Sequence, residues 1–528
     1  MQCKIDDLPD ELLEYILSLI PPYKDLQECR LVSKRWCRAT KNVIDHSEAH
    51  FRKAVSCGAL VWNICPKQNQ IHMISKRHSH AACIYENSMY VFGGCTDTLT
   101  AFNDLWRLDL DTRTWVRPIT MGSYPSPKAC ATMLYYNKNF ILFGGWSYPS
   151  RYPLHQEWKL FNELHVYSIE TNKWSAINTL ETPPAMSAHS ATIHGNNMVV
   201  FGGIHCGLRS NDLWCLNLDT YVWHKQPTTI IKPRPRHGQS QIYLGDKHFL
   251  VLGGCTGPNS AMNDAWLLTM TEPTWKWRKV TLYHQEWAPA RIWCHQACKI
   301  GNYIVVLSNN KRRAKVNDMS IAMQNVACQR PWRFPDLSSP LQESKQRHRT
   351  DVDTDENVNG RHGSFSRSSS QSRASNTPSR RSNFSRIVPF CCDSALSMAA
   401  FRDKPTNNSL SINRQRQLEN LKKMEEKIRS RKLQTKIVKR TETALSIFIL
   451  DISKVFGDKC SATWIPLKEI DQSGPDERIL YSLVMGKGEL IVFGGIRKEH
   501  ATIQSHADID NLEVYNDLHF INPPKYVI

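Results

Sequence analysis

A pair of glycines recurs along this chain at nearly regular intervals. Each pair ends a short apolar run that is typical of a β-strand, such as Tyr90-Val91-Phe92. The pairs are Gly93-Gly94, Gly144-Gly145, Gly202-Gly203, Gly253-Gly254 and Gly494-Gly495. The first four are 51, 58 and 51 residues apart, and a Trp follows each at a similar offset. A repeat of this length predicts an array of similar small β-sheets.

A second motif recurs further along each repeat. Asn and an acidic residue precede a hydrophobic residue, and in the first four units the fourth residue stands nine positions before a Trp. The motifs are Asn103-Asp104-Leu105-Trp106, Asn162-Glu163-Leu164-His165, Asn211-Asp212-Leu213-Trp214, Asn263-Asp264-Ala265-Trp266 and Asn516-Asp517-Leu518-His519. The tryptophans are Trp115, Trp174, Trp223 and Trp275. With these motifs the chain resembles kelch-repeat propellers, which implies an all-β ring with one blade per unit.

We expect the repeated glycines and tryptophans to be structural. Gly-Gly permits positive φ and a close approach of the backbone near a crowded central channel. Each Trp is expected to pack between neighbouring blades, because burial of an aromatic side chain removes a large apolar area from water.

Two irregular units determine the number of blades that we predict. The fifth unit has Ser308-Asn309 in place of Gly-Gly, and its pattern resumes only at Ala444. The sixth ends before any Trp, but Trp62 stands 53 residues before the first Trp of the repeat and supplies the missing strand. The sequence therefore predicts a six-bladed propeller over residues 59–320 and 444–528, closed by its N-terminal strand so that no sheet edge stays open.

Residues 321–443 are predicted to be an insertion in the fifth blade. The segment 311–440 has about 28 Lys and Arg against about 12 Asp and Glu, so it carries nearly all of the net charge of +18. Its Ser- and Arg-rich part is too polar to fold alone and is expected to be disordered. Residues 412–440 have an apolar stripe typical of a helix. Docking of this helix on the propeller, a nuclear import signal and a solvated helix are all open.

Residues 1–50 are predicted to be a small all-α module, followed by a linker at 51–58. A helix opens at Leu8-Pro9-Asp10-Glu11, with Pro near its first turn, and a second follows Pro21-Pro22. Such short helices can bury little core, so their apolar faces need the propeller or another protein. From this pattern alone, a simple helical cap on the propeller is one alternative.

The motifs of this module resemble those of the F-box family from end to end. They are Leu8-Pro9-Asp10-Glu11, Asp25-Leu26 and Leu31-Val32-Ser33-Lys34-Arg35-Trp36. F-boxes dock on the Skp adaptor of cullin-based SCF ubiquitin ligases, and through it on cullin and RING subunits. The resemblance implies that the adaptor-facing and supporting residues are Leu8, Pro9, Leu12, Ile16, Leu26, Val32 and Trp36. The whole chain resembles F-box and kelch-repeat proteins, and departs from them in the insertion and in its minimal N-terminal lead.

The loops between Gly-Gly and Asn-Asp are the expected recognition surface of the ring, because propellers present such loops at one face of the channel. The second loop is the longest regular one and combines aromatic residues with Arg, a composition common at interface hot spots. The candidate target-binding residues are Trp146, Tyr148, Arg151, Tyr152, His155 and Arg209. The alternative is that this loop only packs on its neighbour.

Composition argues against several other classes of protein. Outside the basic segment the charge is nearly balanced, so nucleic acid is not the expected partner. Nucleic-acid binding through the basic insertion is a third alternative. The 17 Cys include no Cys-x-x-Cys pair and are best explained as buried free thiols, and we expect neither a metal site nor a cofactor. No apolar stretch is long enough to predict a membrane span, and the acidic first fifteen residues do not resemble a secretory signal. We therefore expect a cytoplasmic or nuclear location.

The predicted function is that of a non-catalytic subunit that selects protein targets for an SCF-type ubiquitin ligase. The sequence contains no nucleophile motif or phosphate-binding loop that would predict an enzyme. A kelch interaction scaffold without ligase activity, cytoskeletal or nuclear, is the alternative.

Overall fold

The structure is a computed structural model, and it describes residues 5–65, 73–148, 159–257, 260–290, 292–309, 444–466, 474–497 and 513–524. These residues belong to one compact unit that comprises Met1–Ser339 and Thr441–Ile528. A second unit, Pro340–Arg440, lies outside the described residues, as does the whole predicted insertion.

Three α-helices begin the described chain. α1 spans Asp10–Ser18, α2 spans Lys24–Glu28 and α3 spans Lys34–Ser56. Short 3-10 helices cover Ile5–Asp7, Cys29–Leu31 and, later, Gln285–Trp287. α3 begins where the hydroxyl of Ser33 accepts a hydrogen bond from the N–H of Trp36, which is a side-chain N-cap.

The first half of the strands forms three separate sheets and two small hairpins. β1 is Val61–Ile64. The first sheet contains β2 (Ala81–Tyr85), β3 (Ser88–Phe92), β4 (Leu105–Asp109) and β5 (Thr114–Val116). The second region contains β6 (Met121–Gly122), β7 (Thr132–Tyr136), β8 (Asn139–Phe143), β9 (Trp146–Ser147), β10 (Lys159–Leu160), β11 (Leu164–Ser168) and β12 (Lys173–Ile177). The third contains β13 (Ser190–His194), β14 (Asn197–Phe201), β15 (Ile204–His205), β16 (Leu208–Arg209), β17 (Leu213–Asn217) and β18 (Trp223–Lys225).

The remaining strands repeat the same arrangement. They are β19 (Ser240–Gly245), β20 (His248–Leu252), β21 (Ala265–Thr269), β22 (Lys276–Tyr283), β23 (Ala297–Ile300), β24 (Tyr303–Asn309), β25 (Leu445–Asp451), β26 (Ser461–Ile465), β27 (Ser482–Met485), β28 (Leu490–Phe493) and β29 (Leu518–Asn522). Each unit is an antiparallel meander, and the arrangement is propeller-like with helices at its N-terminus.

Two sheets join distant parts of the chain. β1 pairs with β29, with Trp62 opposite Ile521, so the predicted pairing of the N-terminal strand with the C-terminal sheet is confirmed. We call the sheet β1-β29-β28-β27 the closing sheet. An eight-stranded sheet contains two meanders, β19–β22 and β23–β26, which are joined by parallel pairing of β22 with β26. Within it, β24 pairs with β25 along their whole length, so the strands on either side of residues 310–443 are direct neighbours.

Most of the repeated tryptophans pack against the sheet that precedes their own. Trp174 lies 5.3 Å from Phe92, and Trp223 lies 4.8 Å from Phe143, measured between ring centroids. In the fourth unit this position is held by Trp277, which packs on Phe201, and the assignment to Trp275 is wrong. The turn between β21 and β22 is two residues longer than its counterparts, so the constant spacing of nine identifies a neighbouring Trp.

A closed cycle of six backbone hydrogen bonds links the meanders. One residue just before the first strand of each meander donates its N–H to the carbonyl of its counterpart in the preceding meander, at 2.8 to 3.2 Å. The six residues are Ser79, Cys130, Ala188, Gly238, Cys294 and Leu480, and the cycle ends where Ser79 donates to Leu480. All six have φ between 52° and 63°, the left-handed region. This backbone turn points each N–H at the next segment, so the six segments close on themselves.

The C-terminal half of α3 is part of the sheet core. Phe51, Ala54 and Val55 are buried against residues of β24, β25 and the closing sheet. The predicted linker at 51–58 is therefore wrong, because residues up to Ser56 are helical and bury apolar side chains.

Candidate functional site

The helical segment presents two different apolar faces. Leu13 and Leu17 of α1 are fully buried and pack with Leu26, Ala39 and Val43. The other side of α1 leaves Leu12, Tyr15, Ile16 and Leu19 in solvent, at the spacing that places them on one face of a helix. Leu31 and Val32, at the end of the second 3-10 helix, are 85% and 62% exposed. We call Leu12, Tyr15, Ile16, Leu19, Leu31 and Val32 the helical apolar set.

The residues predicted to face or support an adaptor fall into three groups. Pro9, Leu12, Ile16 and Val32 are exposed. Leu8 and Trp36 are half-buried, and Trp36 packs against the helical core. Leu26 is 1% exposed, so its role is to support the helices from inside. Tyr15, Leu19 and Leu31 share the exposed environment but were not predicted, although the i, i+3, i+4 spacing of α1 already contained the first two.

The start of α1 is held to α3 by one arginine. The Nε of Arg35 donates to Oδ1 of Asp10 at 2.7 Å, and its guanidinium also donates to the carbonyl oxygen of Leu8. These bonds fix the residues around Pro9, the N-cap of α1, beside the start of α3. These hydrogen bonds therefore hold in place the backbone that carries the exposed residues at the start of α1.

Buried basic side chains contact the Gly-Gly loops, and the sequence analysis did not predict them. Arg77 donates to both carboxylate oxygens of Asp104, at 2.7 and 3.0 Å, and to the carbonyl oxygen of Gly93 at 2.9 Å. Arg236 makes the same three bonds to Asp264 and Gly253. Each arginine therefore ties a Gly-Gly turn to the acidic residue of the Asn-Asp motif.

Two further units have variants of this pair. Arg478 binds both carboxylate oxygens of Asp517. In the second unit the ammonium of Lys128 lies 2.6 Å from Oε2 of Glu163, so a single ammonium replaces the forked guanidinium and a longer acid replaces Asp. The sequence contained a signal for these ion pairs. The acid of each Asn-Asp or Asn-Glu motif needs a partner, and in these units a basic residue precedes each Gly-Gly by about 16 positions.

The third unit lacks the buried cation. Met186 holds the equivalent position, since its carbonyl accepts the N–H of Gly145 as that of Lys128 accepts the N–H of Gly94. Asp212 instead pairs with Lys225 at 2.9 Å, and both side chains are partly exposed. The repeat therefore contains its own comparison between a buried and an exposed ion pair.

Burial and charge compete at these acids. Burial raises the pKa of Asp104, but the hydrogen bonds and charge of Arg77 outweigh it and the pKa is lowered. The same balance lowers the pKa of Asp264 and Glu163. These carboxylates stay ionised at neutral pH, so the pairs are intact there.

Only part of the predicted target-binding loop is described. Trp146 is 2% exposed and packs against Cys95 and Ala129, so it supports the loop and is not on its surface. Tyr148 is 40% exposed. Arg151, Tyr152 and His155 lie outside the described residues.

Arg209 lies in another loop, on the short strand β16, and is half-buried. Its guanidinium is close enough to His237 to help burial lower the pKa of that imidazole to about 4. Of the predicted target-binding residues, the structure therefore describes the side chains of Trp146, Tyr148 and Arg209. Trp146 is buried, so Tyr148 and Arg209 are the two that solvent reaches.

The helices and the Gly-Gly loops lie at opposite ends of the sheets. In the first sheet, Phe92 pairs with Leu105 at the end that carries Gly93-Gly94, and Ser88 pairs with Asp109 at the other end. The turn after Asp109 contacts the helices, because the N–H of Lys24 donates to Asp111 at 2.8 Å. The helices thus contact the end of the first sheet that is opposite its Gly-Gly turn.

We expect acid to destabilise the fold through buried neutral histidines. Burial lowers the pKa of His78 and His165 to about 4 and that of His189 to about 3. In the unfolded chain these groups take up protons near pH 6.5, so the unfolded state binds more protons and stability falls as pH drops from about 6.5 towards 4.

Each such histidine contributes about 1.4 kcal/mol per pH unit across this window. Urea unfolding at pH 7.5, 6 and 5 measures the slope. His189→Gln is expected to reduce the slope, while the buried carboxylates keep their contribution until lower pH. A free energy of unfolding that stays constant from pH 7 to 5 would contradict the expectation.

In the part of the chain that the structure describes, no group of three or more His, Cys, Asp or Glu side chains is placed to hold a metal ion. No described helix is long and apolar enough to cross a membrane.

Comparison with known families agrees with both parts of this architecture. Residues 5–44 match the family model described as F-box-like, and residues 77–275 match the one described as FBX42, beta-propeller domain. The chain therefore carries an F-box-like domain and a kelch-type β-propeller domain. In this combination it resembles F-box only protein 42.

Curated relatives of the propeller region are kelch proteins. Kelch domain-containing protein 1 of Mus musculus is 31% identical over 256 residues, 44% of this chain and 61% of that protein. Kelch domain-containing protein 3 of Rattus norvegicus is 30% identical over 196 residues, 36% of this chain and 50% of that protein. Kelch domain-containing protein 2 of Bos taurus is 29% identical over 239 residues, 42% and 57% respectively. The chain thus spans between half and about three fifths of the length of these relatives.

Proposed function

We propose that this protein is the substrate-recognition subunit of an SCF-type ubiquitin ligase. Its F-box-like helices dock on the Skp adaptor, which brings cullin and RING subunits, and its propeller binds a protein target. The observation that carries the proposal is the helical apolar set on the F-box-like domain. A monomeric protein rarely leaves so many large apolar side chains in solvent on so short a segment.

The exposed side chains define how the adaptor would bind. Leu12 and Ile16 project from α1, and Leu31 and Val32 from the following turn, so an apolar partner would cover both elements together. Pro9 is exposed beside them, while Leu8, Leu26 and Trp36 would support the surface. Removal of this apolar area from water would supply most of the binding free energy.

The propeller is proposed to have six blades, with the fifth interrupted by the insertion. The cycle of six hydrogen bonds from Ser79 to Leu480 supports this number, as does the adjacency of β24 and β25. A closed ring leaves few sheet edges for unwanted pairing.

The target would bind at the Gly-Gly end of the ring. Tyr148 and Arg209 offer an aromatic side chain and a cation there, and Arg151, Tyr152 and His155 belong to the same predicted surface. The protein would do no chemistry itself, because holding a target beside the ligase raises the effective concentration of its lysines. We assign the complex to the cytoplasm, the nucleus or both.

Single charges on the helical apolar set test the docking. Leu12→Asp and Val32→Asp are each expected to weaken binding of the full chain to purified Skp adaptor by at least about tenfold, because an unpaired carboxylate would be buried. Isothermal titration measures the affinity. Ile230→Asp is the control, since Ile230 is 99% exposed on the propeller.

The proposal fails if the unaltered full chain does not bind the adaptor. It also fails if both aspartate variants bind as tightly as the Ile230→Asp control. Circular dichroism of each variant establishes that its fold is retained before binding is compared.

A further inference from the structure

One buried carboxylate connects the helices to both ends of the repeat. Glu489 lies in the turn between β27 and β28 of the closing sheet and is 3% exposed. It accepts hydrogen bonds from the hydroxyl of Tyr23, from Arg113 and from the side-chain amide of Asn522. Tyr23 belongs to the helices, Arg113 to the turn of the first sheet, and Asn522 to the end of β29. The first and last sheets of the chain and the helical domain thus meet at a single acid.

Tyr23 is enclosed by this junction. It is fully buried, and the guanidinium of Arg113 lies 5.5 Å from its ring centroid and 3.9 Å from that of Phe520. The Nζ of Lys487 lies 5.6 Å from the centroid of the same Tyr23 ring. Burial and the charge of Glu489 raise the pKa of the Tyr23 hydroxyl, so it stays a neutral donor.

The adjacent helix is capped by the propeller. α2 has no side-chain cap of its own, and the N–H of Lys24 donates instead to both carboxylate oxygens of Asp111, at 2.8 and 3.0 Å. A carboxylate at a helix N-terminus stabilises the helix through its exposed N–H groups and its dipole. The start of α2 therefore depends on the turn of the first sheet.

The helices also supply core to the closing sheet. Phe51 and Val55 of α3 pack in the same cluster as Leu490, Val492 and Ile521. α3 is continuous from its packing with α1 to this cluster, so one rigid element belongs to both domains.

We propose that the F-box-like domain stabilises the junction where the first and last sheets of the propeller meet. Its contacts there are centred on Glu489, Tyr23 and Arg113. We call this junction the seam and its stabilisation by the helices the lock. The ring closes stably only while the helices are docked, and the adaptor-docking face keeps a fixed orientation to the target-binding end. The lock is a property of the chain alone, whereas its consequence for ubiquitin transfer rests on the proposed function.

Hydrogen exchange of the full chain tests the lock. Tyr23→Phe removes the hydroxyl that donates a hydrogen bond to Glu489, and Glu489→Gln removes the charge of the carboxylate. Amides of α1 and α2 and those of β1 and β29 are all expected to exchange about tenfold faster or more in both variants. In Tyr23→Phe the buried carboxylate loses a hydrogen-bond donor, and in Glu489→Gln the guanidinium of Arg113 loses its counter-charge. Amides of β13 and β14, in the third sheet, are expected to stay as in the unaltered protein.

A glycine substitution gives a second test with a matched control. A Cβ at Gly486 would collide with the hydroxyl oxygen of Tyr23, whereas a Cβ at Gly257 has no atom within 4 Å. Gly486→Ala is expected to reproduce the exchange pattern, and Gly257→Ala is not. Faster exchange confined to the helices, or no change in any variant, would overturn the lock.

Transfer assays separate the lock from the ligase function. If the lock fixes the orientation, Tyr23→Phe slows ubiquitin transfer several-fold while adaptor and target affinities stay unchanged. If the amides of β1 and β29 exchange faster in Tyr23→Phe but ubiquitin transfer is unchanged, the helices do not fix the orientation as proposed. Failure of the unaltered protein to bind the adaptor would refute the proposed function and leave the exchange result standing.

Discussion

Arg236→Met is expected to lower the free energy of unfolding by about 3–5 kcal/mol. The arginine is 0% exposed, and its loss strands the carboxylate of Asp264 and the carbonyl of Gly253, which it now satisfies. Removing one partner of a buried ion pair costs more than the pair contributes, because the remaining carboxylate loses its counter-charge and keeps the hydrogen bond from Nε1 of Trp266. Urea unfolding of the full chain, followed by tryptophan fluorescence, measures the loss.

The third unit supplies the matched control for this prediction. Lys225→Met breaks the exposed pair with Asp212 and is expected to cost less than about 1 kcal/mol. A double change of Arg236→Met and Asp264→Leu is expected to recover part of the stability, because no charge then stays buried alone. If Arg236→Met costs no more than Lys225→Met, the buried pairs do not hold the Gly-Gly loops as we infer.

The second large effect is expected at Phe51. Phe51→Ala should destabilise the propeller by about 3–5 kcal/mol, although the residue lies in a helix next to the F-box-like domain. Its side chain is 1% exposed and fills a cluster with Ile300, Val305 and Leu490 of the sheets. Thermal unfolding followed by the β-sheet signal in circular dichroism measures the change.

Leu12→Ala is the control for Phe51→Ala, because Leu12 is 50% exposed on the opposite part of the helices. Its expected cost is within about 0.5 kcal/mol. Equal effects of the two substitutions on the sheet signal would mean that α3 is not part of the propeller core. A truncation that begins beyond Phe51 should fail to give a stable ring for the same reason.

Some errors of the sequence interpretation have a common origin. The constant spacing identifies Trp275, and it misses Trp277 because it takes no account of a longer turn. Aromatic residues in a loop suggest a contact surface and therefore predict Trp146 there, but its side chain is 2% exposed and packs against Cys95 and Ala129. Sequence spacing cannot show the direction of a side chain where the backbone leaves regular structure.

The buried cations were missed for a different reason. Arg77 and Asp104 are 27 residues apart, and Arg478 and Asp517 are 39 apart. Both residue types are common on surfaces, so a basic residue before a strand does not reveal that it is buried. Its burial depends on the packing of the Gly-Gly turn around it.

The sequence by itself determined the repeating strands, the glycine turns and the F-box-like and kelch-type resemblances, because alternation and turn chemistry are local properties. Only the tertiary structure decided that the helices and the ring share a core, since Tyr23 and Glu489 are 466 residues apart. The contacts that join them arise when the first and last strands pair. Their energy comes from removing apolar area from water and pairing a buried acid, and neither depends on neighbours in sequence.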